Sequence, residues 1–326
     1  MLMSVLLFAV GLVLLIKGGD WFVDGATGIA KRFNLPDIVV GATVVSIGTT
    51  LPEVMVSTTG ALQGSGAMAY GNAIGSIICN TALIAAISIV VNPGPVNVKS
   101  MKTPAIFFFA ASAIYCLAAY GLGTFPRWLG FIMLTVFAVY MFMTVRNGLK
   151  NPDEVEHEEE EEGKQRSLAM ELVLLVVGAG VIAVGADLLV EHGQIIAIGL
   201  GVPATVVALL FVALGTSLPE LVTTITSLKK GRASLGVGNV IGANVFNLVL
   251  VSGVAVSLAP FDVPVENELL NTGLNLSLVF DIPVMLLVMS LMIFPAMLRK
   301  KLGRWQGIVL LGIYLAFVVC QFVLSK

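Results

Sequence analysis

Apolar and polar positions alternate along the chain on a coarse scale, with long hydrophobic runs separated by short polar gaps. Runs of about 20 residues, the length that crosses roughly 30 Å of hydrocarbon at about 1.5 Å per residue, recur from one end to the other. Ten can be placed, at 3–29, 37–62, 68–91, 103–121, 127–146, 168–191, 201–227, 235–259, 278–297 and 305–323. The pattern predicts an all-α integral membrane protein of ten transmembrane helices. Its opening MLMSVLLFAVGLVLLI lacks the basic leader and small-residue cleavage site of a signal peptide and is read as the first span.

Polar residues inside these runs are the informative ones. The stretch VVSIGTTLPEVMVS, at 44–57, places Pro52 and Glu53 in hydrocarbon. A carboxylate at mid-bilayer and a helix-interior proline are each disfavoured by about 3 kcal/mol. A shift of 167 residues turns GTTLPE at 48–53 into GTSLPE at 215–220, and GNAIGSIICN at 71–80 into GNVIGANVFN at 238–247. Asp20 and Asp187, and Pro36 and Pro203, keep the same offset, so the chain is a duplication. Each half holds five spans. An odd number turns the second copy upside down, giving two inverted five-helix repeats, 1–150 and 167–326, joined by an acidic linker, 151–166. The linker, NPDEVEHEEEEEGKQR, is read as solvated and without the spaced ligands and turn glycine of a calcium loop.

Composition agrees: 57% of the 326 residues are hydrophobic and 12% charged, too apolar for a soluble fold. Threading ten spans puts fifteen of the eighteen lysines and arginines on one face. The exceptions are Lys17, Arg127 and Lys326. The positive-inside rule then makes that face cytoplasmic, with the linker on it and both termini outside a plasma membrane. A net charge of −2, with basic residues confined to short loops, gives no nucleic-acid footprint. No catalytic constellation or phosphate-cradling loop occurs, so neither an enzyme nor a bound cofactor is expected. The lipid bilayer is the expected surrounding, and no obligate protein partner is evident. Cys79, Cys116 and Cys320 fall in separate spans, with neither disulfide nor zinc spacing.

The repeated motif reads as a site for a hard cation. Each half brings one carboxylate, Glu53 or Glu220, directly after a proline that loosens the helix and frees carbonyls at about 46–50 and 213–217. Thr49, Thr50, Thr216 and Ser217 add hydroxyls, Ser76 another, and Asn80 and Asn247 add amide oxygens. Oxygen ligands without thiolate or imidazole suit Ca²⁺, Na⁺ or Mg²⁺. Two carboxylates carry −2, which one Ca²⁺ or two to three Na⁺ would balance, whereas an empty pair is disfavoured in low dielectric. Asn72 and Asn239 fit either cross-linking of helices or lining of the ion path. Asp20 is read as a structural group, with Lys17 as its partner.

These paired motifs resemble the two alpha-repeats of the sodium/calcium exchanger family, of the cation/calcium antiporter superfamily, in its compact prokaryotic form. The resemblance implies Glu53 and Glu220 as central ligands. Ser46, Thr49, Thr50, Ser76 and Asn80 would help from one half, and Ala213 (by its carbonyl), Thr216, Ser217 and Asn247 from the other. It also implies four ion positions in a diamond and sliding of the first and sixth helices against the other eight. Both Asn80 and Asn247 are amides where many relatives carry an aspartate. Ala243 stands where a serine opposite Ser76 is usual, and Ile77 where an asparagine is usual. The expected function is exchange of Na⁺ for Ca²⁺ by alternating access, with proton/calcium antiport as the alternative.

Overall fold

The structure, a computed structural model, describes residues 2–150, 166–199, 215–263 and 275–324. Its helices are α1 (Leu2–Phe33), α2 (Asp37–Leu62), α3 (Gly66–Val91), α4 (Val98–Leu122), α5 (Arg127–Lys150), α6 (Leu168–Gly199), α7 (Leu218–Lys229), α8 (Ala233–Leu258), α9 (Ser277–Arg299) and α10 (Arg304–Leu324). Among the described residues nine of these are long and apolar enough to cross a membrane. The exception is α7, the described part of the predicted run 201–227, whose first half lies outside the described residues, as does linker 151–165. Helix ends extend past the predicted ones, to Phe33 in α1 and Gly199 in α6, because hydropathy tracks the apolar stretch and not the polar turns that continue the helix.

The bundle is apolar outside and polar within. Met55, Leu117, Leu298 and Leu315 are 66–84% exposed on its surface, while Glu53, Asn80, Glu220, Asn239 and Asn247 are fully buried. In lipid the outward side chains lose nothing by exposure, so packing and internal polar bonds must hold the helices together.

Helices α1 and α6 run antiparallel along a shared seam of glycines. A Cβ on Gly11 would lie 2.9 Å from the Gly185 carbonyl and 3.0 Å from the Leu189 nitrogen. One on Gly178 would lie 2.6 Å from the Phe22 nitrogen. Adding 167 to Gly11 gives Gly178, and adding it to Phe22 gives Leu189, so these two contacts exchange under the repeat symmetry. That exchange is what a two-fold axis in the membrane plane produces.

Two short antiparallel pairs obey the same symmetry and are invisible in the hydrophobic pattern. Strand β1 (Gly94–Pro95) pairs with β4 (Lys301–Leu302), and β2 (Thr124–Phe125) pairs with β3 (Phe261–Asp262). Each ties a loop of one repeat to a loop of the other, at opposite ends of the bundle. The second is backed by aromatic packing, with Phe125 centred 5.3 Å from Phe261 and 4.7 Å from Tyr115.

The ion pairs correct one expectation. Asp20 lies 3.8 Å from Lys230, and Asp24 accepts a bond from the same ammonium at 2.7 Å. Lys230 sits just past α7, so the charge on α1 is met from the other repeat and not by Lys17. A pairing across 210 positions leaves no trace in local spacing.

The glycine seam yields a prediction. Gly11→Val and Gly178→Val should lower thermal stability in detergent by similar amounts, about 1–3 kcal/mol each as overpacking of a tight contact. Fluorescence-detected melting would check it, and unequal effects would contradict the two-fold relation.

Candidate functional site

The site is assembled by α2 and α3 of the first repeat and α7 and α8 of the second. The proline-and-glutamate motif does not break α2 where expected. The helix is continuous from Ser46 to Leu62 with Pro52 inside, and its irregularity is a π-helical turn at Gly41–Val45, one turn earlier. Proline lacks only the N–H that would reach Gly48, so one missing bond is tolerated. In the second repeat the chain does interrupt, since α7 begins at Leu218 with Ser217 at its N-cap position and Pro219 in its first turn.

The glycine-and-asparagine motif supplies a second irregularity in each half. A π-helical turn opens at Asn80 in α3 and another at Asn247 in α8, positions related by 167. Such turns are frequent at functional sites, since the extra residue re-aims side chains and slackens the backbone ladder. The freed groups are partly taken up locally. Ser252 donates to the Asn247 carbonyl at 2.9 Å, and Tyr140 donates to the Ala42 carbonyl at 2.8 Å.

Glu53 and Glu220 are both fully buried, close enough for their charges to interact. Thr50 Oγ1 donates to Glu220 Oε1 at 3.5 Å, which joins the two repeats directly. Neither carboxylate oxygen of Glu53 has a hydrogen-bond partner among the described residues, nor has Glu220 Oε2. The same holds for the hydroxyls of Ser76 and Ser217, for Asn80 Oδ1 and for Asn247 Oδ1. Asn247 turns its amide nitrogen to the Ala243 carbonyl at 3.0 Å, so its oxygen is the end left over. A buried polar atom without a partner costs about 1–3 kcal/mol, and buried orphans are few in folded proteins. Here several lie on the helices that carry the two carboxylates or on helices packed against them, and almost all are oxygens. Such a donor set fits hard cations.

Asn72 and Asn239 are cross-links. Thr49 Oγ1 donates to Asn239 Oδ1 at 3.1 Å, and Thr216 Oγ1 donates to Asn72 Oδ1 at 3.2 Å. The two bonds are images of one another, since both threonines and both asparagines are 167 apart. They hold the motif carrying each glutamate against the glycine-rich helix of the opposite repeat. Ser46 Oγ lies within 2.8 Å of the Gly41 carbonyl and 3.0 Å of the Asn239 carbonyl, so its proton is engaged in packing α2 on α8. Glycines 41, 238 and 242 allow that approach, leaving backbone against backbone.

Of the residues read from sequence, Glu53, Glu220, Thr49, Thr50, Ser46, Ser76, Asn80, Thr216, Ser217 and Asn247 are all described. All except Thr216 are buried. Ala213 lies outside the described residues. Sequence reasoning missed Tyr140 and Asn244, the latter fully buried and donating to Thr81 Oγ1 at 2.7 Å and Met289 Sδ at 3.1 Å. The asparagine adjoins Ala243 in the second motif, so its place in the repeat was the available signal.

Fold and site thus define a multi-pass membrane protein that carries a buried cluster of cation-fitting oxygens between inverted repeats. The family model described as sodium/calcium exchanger protein matches residues 3–146 and 170–323, and the chain belongs to that family. It is a family of exchangers and not of enzymes. A membrane protein of Methanocaldococcus jannaschii, itself uncharacterised, is 34% identical over 308 residues, 94% of each chain. The sodium/calcium exchanger MaX1 of Methanosarcina acetivorans is 29% identical over 97% of this chain and 98% of its own. Among solved structures, the sodium-calcium exchanger NCX_Mj soaked with Na⁺ and Sr²⁺ superposes with a TM-score of 0.78 at 31% identity, covering 98% of both chains.

Removing the Asn239 side-chain acceptor should loosen the cross-link. Asn239→Ala is expected to cost about 1–3 kcal/mol, and Thr49→Val less, with the double variant no worse than Asn239→Ala. Melting curves of the three variants would check this, and additive losses would contradict a direct Thr49–Asn239 bond.

Proposed function

We propose that the chain is a secondary active antiporter that exchanges Na⁺ for Ca²⁺ by alternating access, with the cation held between Glu53 and Glu220. The observation that carries this reading is two fully buried carboxylates, one from each inverted repeat, with three of their four oxygens unpartnered among the described residues. Thr49, Thr50, Ser46, Ser76 and Asn80 would complete the coordination from the first half, and Ala213, Thr216, Ser217 and Asn247 from the second. Membership of an exchanger family supports cation/Ca²⁺ exchange, and the names of MaX1 and NCX_Mj support sodium as the second ion.

Charge counting gives the mechanism. Two ionised glutamates attract one Ca²⁺ or a set of Na⁺ ions, and in either state the site enters the low-dielectric interior close to neutral. Without cargo the pair would be left uncompensated, which disfavours the crossing step and makes exchange obligatory. The amides at Asn80 and Asn247 add oxygen but no charge, so charge balance rests on the two glutamates. Repeats 1–150 and 167–326 would alternate about the site. The basic end would face the cytoplasm, with linker 151–166 there and both termini outside.

Two measurements test this. Uptake of ⁴⁵Ca²⁺ into proteoliposomes should require sodium inside, and a pH gradient imposed without sodium should drive none. Proton-driven uptake would transfer the coupling role to H⁺ at the same carboxylates. Glu53→Gln and Glu220→Gln should each reduce exchange at least a hundredfold at normal membrane yield. Normal transport by either would remove the two-carboxylate site.

A further inference from the structure

Beyond the glutamates, α7 carries a row of hydroxyls that the site does not use. Thr223, Thr224 and Ser227 are 0–2% exposed, and their hydroxyls have no partner among the described residues. Other helices carry such hydroxyls singly, as α4 does at Ser112 and α5 at Thr144. A buried serine or threonine ordinarily donates to a carbonyl one turn back, as Thr43 does to Val39 at 2.7 Å and Ser252 to Asn247 at 2.9 Å. Spacings of three, four and seven residues from Glu220 put all three on the face of α7 that carries the glutamate. Ser227 closes the row at the end of α7, where its carbonyl accepts from the Arg232 backbone N–H at 2.7 Å, next to Gly231.

Gly231 also lines a cavity of about 280 Å³ at the end of the bundle that holds Lys229, Arg232 and Arg299. The cavity reaches Ser88 of α3, the helix that carries Asn80 two turns deeper, and Asn92 just past its end. Ser88 is itself 5% exposed. At its rim Asp37 accepts a bond from Arg232 at 3.2 Å, with the two side chains only 12% and 9% exposed. The ion pair brings carboxylate oxygens to the wall and cancels the net charge that would otherwise trap an ion there.

The repeat symmetry provides an internal control. Subtracting 167 from Thr223, Thr224 and Ser227 gives Val56, Ser57 and Gly60 on α2. Val56 and Gly60 bear no hydroxyl, and Ser57 is already taken by Asn72 at 2.8 Å. On that stretch of α2 the unpartnered hydroxyl is Thr58 alone, the image of Ile225, so among the described residues the row of three lies on α7, at the end with the cavity.

We propose that the cavity and the hydroxyl row form a second cation-binding stretch, an antechamber in which a hard cation sheds water stepwise between the basic end and Glu220. The proposal rests on the reading of Glu220 as an ion ligand. Hydroxyl and amide oxygens replace hydration without adding charge, so the ion is held weakly and passed on. Each orphan hydroxyl gains a partner only while an ion or its water is in transit.

The test measures half-saturating Ca²⁺ separately on each face of oriented membrane vesicles. The basic face is identified by labelling Lys300→Cys, at an exposed turn, with an impermeant thiol reagent. The double variant Thr223→Val, Ser227→Ala should raise half-saturating Ca²⁺ at least threefold on the basic face and leave the other face unchanged. Equal values to wild type on both faces overturn the proposal, and so does a parallel rise on both, which marks damage to the shared site. Should that variant not reach the membrane, Ser227→Cys replaces it, with wild type treated in parallel for its own cysteines. Modification should then block exchange from the basic face alone and slow in saturating Ca²⁺. Block from the opposite face or from neither overturns it. If Glu220→Gln exchanges normally, the parent reading fails instead, whatever the double variant does.

Discussion

Two carboxylates placed together in the middle of a hydrocarbon slab constrain this protein more than anything else it contains. Among the described residues neither Glu53 nor Glu220 is matched by a lysine or arginine, and Glu220 is met by a hydroxyl from Thr50. A charged group there must be matched, protonated or hydrated, and each alternative implies something that comes and goes. The surrounding architecture serves to hold the pair at fixed separation while keeping water out. Glycines let α2 and α8 approach until Ser46 touches the Asn239 carbonyl, and the paired threonine-to-asparagine bonds clamp each motif to the opposite repeat.

Much of this was legible in the sequence, because the constraints are severe. Hydrocarbon permits little but helices, so apolar run length places the spans, and the offset of 167 residues exposes the inverted repeat without any structure. The candidate site residues were proposed for the same reason, since a polar side chain in such a run needs a cause, and all the described ones except Thr216 are buried. What could not be read depends on long-range register. The bond from Thr216 to Asn72 and the ion pair from Lys230 to Asp24 join residues 144 and 206 positions apart. The strand pairs at 94–95 and 124–125 involve segments too short to show any alternation.

The proline is instructive. Its chemistry suggested a helix loosened about one turn before the glutamate in both halves. In the first half the helix runs straight through Pro52, with its slack taken up by a π-helical turn at 41–45 that no residue preference signals. In the second half the interruption at Ser217 lies where proline chemistry puts it. Motifs that differ only at Thr50 and Ser217 thus adopt different backbones, and the two-fold relation is approximate at the very place where ions are expected.

The glycine seam between α1 and α6 has a mechanical meaning. Because the contacts at Gly11, Gly18, Gly178 and Gly185 are backbone on backbone, the two helices form one stiff beam and not two neighbours. A beam tipped at one end rises at the other. On the proposed alternating-access cycle, opening toward one compartment and sealing from the opposite one would be a single displacement, which would protect a steep ion gradient from short-circuit.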